Sequence, residues 1–296
     1  MKIGITCPVY INNAQHLHYL DLTTRSIISK DHDLVFIPVD RVVNPEFYPI
    51  AYRFDHEPEK IVPREQPTNC VAQAWNTGIS TARELGCDYV LVINTDIVFK
   101  SNAIDRLVTF AEAHPEAVMW TMSEYSDLAM LEECPEDEGF NEHPGFSYFM
   151  VKTNFFDNVG TFDENFVPAY CEDGDMHARL ALGGFKAYIY GGARVFHFGS
   201  ATIKNDFELK RKNDQVTFPI NQQYFLEKWG HPPVNEVDKM REVYYKTPYN
   251  IKGMSLKDFI PNFWRFLSLN NTHDIKDLSE EQVFNQLKKV TNNEKK

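Results

Sequence analysis

Two stretches of the 296-residue chain put carboxylates where an apolar segment stops. In Val90-Leu-Val-Ile-Asn-Thr-Asp-Ile-Val-Phe99 an apolar run breaks at Asn94-Thr95-Asp96 and then resumes. A carboxylate leaving a buried strand is costly unless it caps a turn, pairs with a cation or holds a metal ion. Asp96 is open to each of these roles. In the second stretch, Glu172, Asp173 and Asp175 sit at or before a helix-forming segment, Met176 to Leu182, which Gly183-Gly184 would cap. Acids are favoured at a helix start, and Asp175 can pair with Arg179 one turn on. That accounts for Asp175 but leaves Glu172-Asp173, which follows Val167-Pro-Ala-Tyr170 directly. A carboxylate pair on a short, rigid lead-in is a good place to hold a general base. His197, in Val195-Phe-His-Phe-Gly199, is either a satisfied core histidine or a ligand.

The elements that position these groups alternate. Lys2 to Thr6 is predicted as a first strand stopped by Pro8, and Ala14 to Ser29 as a helix. Leu34 to Asp40 is a second apolar run, followed by a Pro-rich loop through Pro67. Asn69 to Leu85 then predicts a helix, Tyr89 to Ile93 a strand, Asn102 to Ala113 a helix and Ala117 to Met122 a strand. The alternation implies a parallel sheet with helices on both faces, whose ligands sit beyond the carboxyl ends of the strands. Tyr10, Asp40 and Asn94-Thr-Asp96 fall at three such ends, which fits a nucleotide crevice better than three unrelated caps. Glu124 to Gly145 is acidic and loop-like, either a lid or a solvated face. Lys186 to Tyr190 and Val195 to Gly199 are further strand-like segments. Beyond Ser200 the chain reads as Lys-rich, aromatic-rich helices.

Composition bounds the classes. A 43% hydrophobic chain of this length can bury a large α/β core with appendages. The formal net charge of −12 argues against general affinity for nucleic acid or an anionic membrane surface. Basic residues gather at Lys204, Lys210, Arg211 and Lys212, for which a solvated helix face is the simpler reading. Five scattered cysteines without a CxxC pair signal neither a disulfide framework nor a thiolate zinc site. No apolar stretch approaches the roughly 20 residues that span a bilayer. With no signal-peptide core at the N-terminus, a reducing, cytoplasmic setting is expected.

Taken together, these segments resemble the family 2 glycosyltransferases, inverting enzymes of the GT-A fold, in their rhamnosyltransferase-like branch. The likeness covers roughly residues 1–230. It runs through Ile3-Gly-Ile-Thr-Cys-Pro-Val-Tyr10, the helix with Trp75-Asn76-Thr-Gly78, and the Asn94-x-Asp96 strand end. It continues through Val159-Gly-Thr-Phe-Asp-Glu-Asn-Phe166, Glu172-Asp173-Gly-Asp175, Arg179, Val195-Phe-His197 and Tyr224-Phe-Leu-Glu-Lys-Trp-Gly230. Each piece is weak alone; the ordered set is what resembles the family. The resemblance implies a GT-A domain over residues 1–203 and a helical, aromatic-rich C-terminal region over 204–296 for acceptor or oligomer contacts.

It further implies that Pro8, Tyr10, Asp40 and Asn94 line a nucleotide pocket, and that Asp96 binds metal and donor diphosphate. Asp173 is implied as the catalytic base with Glu172 behind it, and His197 as a group completing the metal or diphosphate site. The implied partners are a nucleotide-sugar donor, UDP-sugar first, Mn²⁺ or Mg²⁺, and an acceptor whose class stays open among glycan, lipid-linked saccharide, protein and nucleobase. The family pattern has Asp where this chain has Asn94, an amide that can still hydrogen-bond ribose hydroxyls. Alternatives weighed on the residues are a sugar-nucleotide nucleotidyltransferase, a two-carboxylate glycoside hydrolase, and a non-catalytic sugar-binding module. The first lacks the Gly-rich, basic phosphate loop it would carry after the first strand.

Overall fold

A computed structural model describes residues 1–42, 61–66, 70–135, 137–143, 145–182 and 185–229. The expected Pro-rich loop, the Gly183-Gly184 cap and the C-terminal region beyond Trp229, with its oligomer contacts, lie mainly or wholly outside them. Elements run β1 (Lys2–Ile11), α1 (Ala14–Arg25), β2 (Asp33–Val42), β3 (Arg64–Glu65), α2 (Val71–Glu84), β4 (Tyr89–Ile93), β5 (Ile97–Phe99) and α3 (Ala103–Ala113). They continue with β6 (Ala117–Glu124), β7 (Phe140–Glu142), β8 (Tyr148–Lys152), α4 (Phe155–Val159), α5 (Glu172–Leu182) and β9 (Lys186–His197). Helices α6 (Ala201–Lys204) and α7 (Phe207–Lys212), a π-helical turn (Asn213–Thr217) and α8 (Phe218–Trp229) follow. The chain divides into two compact units. One comprises Met1–Pro67, Ala74–Thr161 and Phe185–Phe207; the other comprises Thr68–Gln73, Phe162–Gly184 and Glu208–Lys296.

The first unit contains a nine-stranded sheet in the order β3-β2-β1-β4-β8-β6-β9-β5, with β7 also pairing β9. The block β3-β2-β1-β4 is parallel. β8 enters antiparallel to both β4 and β6, while β6 and β9 run parallel. The α/β architecture expected from the sequence is present, with a mixed sheet. Alternation along β1 sends Ile3, Ile5, Cys7, Val9 and Ile11 into one core with Leu20 of α1 and Leu107 and Val108 of α3. Gly4 and Thr6 point the other way, onto α2. A Cβ at Gly4 would meet that of Ala82 at 2.7 Å, and one at Gly78 would overlap Thr6. Glycine at 78 is what lets α2 lie on the sheet.

The first strand does not stop at Pro8. It runs to Ile11, and Pro8 pairs with Val39 of β2. Beyond Thr6 the β4 side of β1 has no partner strand among the described residues, so a residue without an N–H breaks no ladder on that side. Likewise Lys186–Tyr190 and Val195–Gly199 are not separate strands. Gly191-Gly192 carries one strand through, with a register shift against β6 between Met122 and Ser123. A Cβ at Gly191 would lie 2.7 Å from the Asp137 carbonyl, and one at Gly192 would strike the Tyr190 ring.

The second unit is built around α5 and α8. Lys228 of α8 is 2% exposed and reaches Asp163 at 2.7 Å and the Asp175 carboxylate on α5. Asp175 also takes the Arg179 guanidinium (2.9 Å) and the Trp229 indole N–H (2.9 Å). Tyr224 donates to Asp163 (2.9 Å). Burial opposes ionisation of Asp163, and Lys228 more than offsets it, holding the carboxyl below its ordinary value. The sequence reading of Asp175 paired with Arg179 is what the structure shows, inside a larger buried charge network.

Candidate active site

The broken apolar run is a strand, a two-residue turn and a second strand. β4 ends at Ile93, Asn94 is half-buried, Thr95 and Asp96 make the turn, and β5 starts at Ile97 opposite His197 of β9. α1 fixes that turn from beneath. The Thr23 hydroxyl lies 2.8 and 2.7 Å from the carbonyls of Thr95 and Ile97 and accepts the Ile97 N–H at 3.2 Å. Asp96 is 4% exposed, so its carboxylate needs partners. Oδ2 accepts the Ala201 N–H at the start of α6 (2.9 Å), and the Asp96 carbonyl accepts Phe198 N–H (2.9 Å). Oδ1 faces His197 Nε2 at 3.3 Å.

His197 Nε2 is buried and makes no well-aligned hydrogen bond among the described residues. The ring stands edge-on to Tyr148 (5.8 Å), and its Nδ1 is 3.7 Å from Glu124 Oε2. Tyr148 donates to that same oxygen at 3.3 Å. Burial opposes charging of the imidazole; the carboxylates of Asp96 and Glu124 more than offset it, and the His197 pKa rises. Burial, then Asp96, pushes the nearby Cys7 thiol up.

Among the described residues no group of three or more His, Cys, Asp or Glu is arranged to hold a metal ion. Asp96 and His197 nevertheless fit as two donors of one. In an octahedral ion bound at roughly 2.1 Å, neighbouring donors stand about 3 Å apart, close to the 3.3 Å observed between Oδ1 and Nε2. One carboxylate and one imidazole would leave the remaining positions to phosphate and water oxygens, a set that suits Mn²⁺ or Mg²⁺.

The exit of β1 belongs to the same unit. Tyr10 is half-buried, 5.8 Å from the His16 ring, and its hydroxyl pKa is raised by burial and by Asp206. Asn12 donates to Asp206 (2.8 Å), and His16 donates from Nε2 to the Thr202 carbonyl (3.0 Å). The segment after His197 is thus tied both to the Asp96 turn and to the β1 exit. Gly199 and Ser200, at φ of 70° and 54°, turn it there. Asp40 sits farther along the sheet edge in β2, paired with Val9 and Glu65, with Gln66 N–H on its carbonyl.

Glu172 and Asp173 stand in the first turn of α5, in the second unit. They begin the helix rather than preceding it. Glu172 is 5% exposed, and its Oε2 has no hydrogen-bond partner among the described residues. Burial, reinforced by the Asp173 charge, raises its carboxyl well above the ordinary value. Asp173 is exposed yet crowded by protein, and lost hydration raises its pKa too, while the Gly174 N–H donates to it at 2.7 Å. Of the pair, Asp173 is the one open to a reactant. The chain reaches them through Tyr170 and Cys171, both at φ 75°, a conformation that costs about 1–3 kcal/mol for each non-glycine residue.

Thus Asp96 and His197 come together, while Glu172 and Asp173 form a second group in the other unit. His16 carried no signal in the sequence, and Glu124, read there as the start of an acidic loop, is the last residue of β6. Glu124 is the last residue of a strand, as Asp96 follows the end of one, and that shared position was the available signal.

No protein-family model and no curated protein sequence matches the chain. Among solved structures it is similar to the crystal structure of GalNAc-T7 with UDP, GalNAc and Mn²⁺. Identity is 14%, coverage is 88% of this chain and 58% of that one, and the TM-score is 0.53. This is a likeness of fold: the described residues have a GT-A-like α/β architecture. No helix among the described residues is long and apolar enough to cross a membrane.

Proposed function

We propose that the protein is an inverting glycosyltransferase that moves a sugar from a nucleoside-diphosphate donor, a UDP-sugar first, to an acceptor hydroxyl. The observation that carries this reading is the Asp96–His197 pair, a buried carboxylate oxygen 3.3 Å from an imidazole nitrogen at the end of a sheet. The fold neighbour's UDP and Mn²⁺ support the same chemistry.

In this reading Asp96 and His197 hold a divalent cation, which would neutralise charge growing on the departing diphosphate. Pro8, Tyr10, Asp40 and Asn94 bind the nucleoside. Asp173 accepts the proton of the attacking hydroxyl, and its raised pKa brings it nearer the range useful for a base. Glu172 is buried and its carboxyl is raised well above the ordinary value by that burial, whereas Asp173 is the exposed member of the pair. Attack opposite the leaving group inverts the anomeric centre.

The test is a thermal-shift panel of nucleotide sugars with and without Mn²⁺. A ligand bound only by the folded state raises its melting temperature. A UDP-sugar that stabilises only with Mn²⁺, followed by UDP release, supports the reading. Stabilisation by free sugars alone points to a binding module, and sugar hydrolysis indifferent to nucleotide points to a hydrolase.

A further inference from the structure

The two residues before Glu172 are held in a conformation that side-chain-bearing residues rarely adopt. Tyr170 and Cys171 both lie at φ 75°, and neither is glycine. Such strain persists only where surrounding groups over-determine it, and it gathers at functional sites. The backbone N–H groups of Tyr170 and Cys171 face the Glu172 and Asp173 carboxylates, and the carbonyl side is held by another helix. Asn221 of α8 is 1% exposed, and its amide nitrogen donates to two successive carbonyls, Ala169 at 2.8 Å and Tyr170 at 3.0 Å. The Tyr170 ring packs edge-on against Phe218, one turn before Asn221 on the same helix (5.6 Å). On the far side of the strained pair, the Cys171 carbonyl accepts Asp175 N–H at 3.0 Å and opens α5. Asn221 thus fixes the carbonyl side of the lead-in to Glu172 and Asp173 through bonds to Ala169 and Tyr170.

We propose that Asn221 is a positioning residue for Asp173. Its forked amide holds the left-handed lead-in, so that the first turn of α5 presents Asp173 outward while Glu172 stays buried. This rests on the reading of Asp173 as the base. An amide suits the task because one NH₂ group can serve two carbonyls at once. A hydroxyl can serve one, and a methyl none.

The experiment measures UDP release from the UDP-sugar selected by thermal shift, with water as the acceptor and Mn²⁺ present. Wild type, Asn221→Ala and Asn221→Ser are compared for kcat, donor KM, UDP affinity and melting temperature. A displaced reacting group costs roughly 100-fold in rate. Asn221→Ala should show about that loss in kcat with donor KM and UDP affinity unchanged, and Asn221→Ser should fall between it and wild type. Unchanged kcat in Asn221→Ala overturns the proposal, as does a loss of kcat matched by a loss of UDP affinity. If the alanine variant does not fold, the same kcat-against-affinity comparison in Asn221→Ser decides. Asp173→Asn separates the two levels. Full UDP release by that variant removes the base assignment, whereas an inactive Asp173→Asn beside a fully active Asn221→Ala removes only the clamp.

Discussion

The two candidate groups are held by different physics. Asp96 and His197 sit at the ends of paired strands, where the register Ile97↔His197 places them and the Ala201 N–H donates to the Asp96 carboxylate. Glu172 and Asp173 sit past two left-handed residues, in a unit where a buried lysine bridges Asp163 and Asp175 and Arg179 also pairs Asp175. A sheet positions side chains as a by-product of its hydrogen-bond ladder. A strained loop needs dedicated side chains, and removing one of those has consequences beyond its own contacts.

That contrast can be broken in several places. The largest effect is expected at Asp173. Asp173→Asn should lower the rate of UDP release by about 10²–10⁴-fold, the usual worth of a general base, with UDP affinity by calorimetry unchanged. Lys228→Ala should come next, because it leaves Asp163 and Asp175 buried without their shared cation. Breaking a buried pair costs about 3–5 kcal/mol, to be read from urea unfolding. His197→Ala should weaken Mn²⁺-dependent UDP binding by roughly tenfold or more, in the range seen when a metal's surroundings are disturbed, without lowering stability comparably.

Glu172→Gln tests the electrostatics. The folded state holds the Glu172 proton above the ordinary glutamate pKa, so it binds more protons than the unfolded chain, and stability must fall as pH rises through that window. Glu172→Gln should therefore melt higher than wild type at pH 8 and nearly level with it at pH 4. The smallest effect is expected at Thr23→Val, which loses one buried hydroxyl. A cost of about 1–3 kcal/mol is expected, with Asp173-dependent chemistry intact.

Much of this was legible in the residues. The strand at Tyr89–Ile93 has the expected bounds, because an unbroken apolar run admits few alternatives. The Asp175–Arg179 pair follows from helical spacing alone. Other features depend on distant neighbours. Pro8 reads as a strand stop until one sees that no described strand pairs its β4 side, and Gly191-Gly192 reads as a break until the crowding at Asp137 and Tyr190 appears. Phe140–Glu142, inside an acidic loop-like stretch, becomes β7 because β9 offers it an edge. Lys228, in a Lys-rich segment, gave no hint of burial; two aspartates from elsewhere in the chain receive its charge. The strain at Tyr170 and Cys171 has no compositional mark, since glycine would have announced it and is absent.

Calorimetric titration of UDP into wild type and Asp96→Ala, each with and without Mn²⁺, bears most directly on the claim that a strand-end carboxylate grips a cation-bound diphosphate. The account predicts that Mn²⁺ tightens UDP binding at least tenfold in wild type, about 1.4 kcal/mol, and leaves it unchanged in Asp96→Ala. An equal gain from Mn²⁺ in both proteins would contradict it.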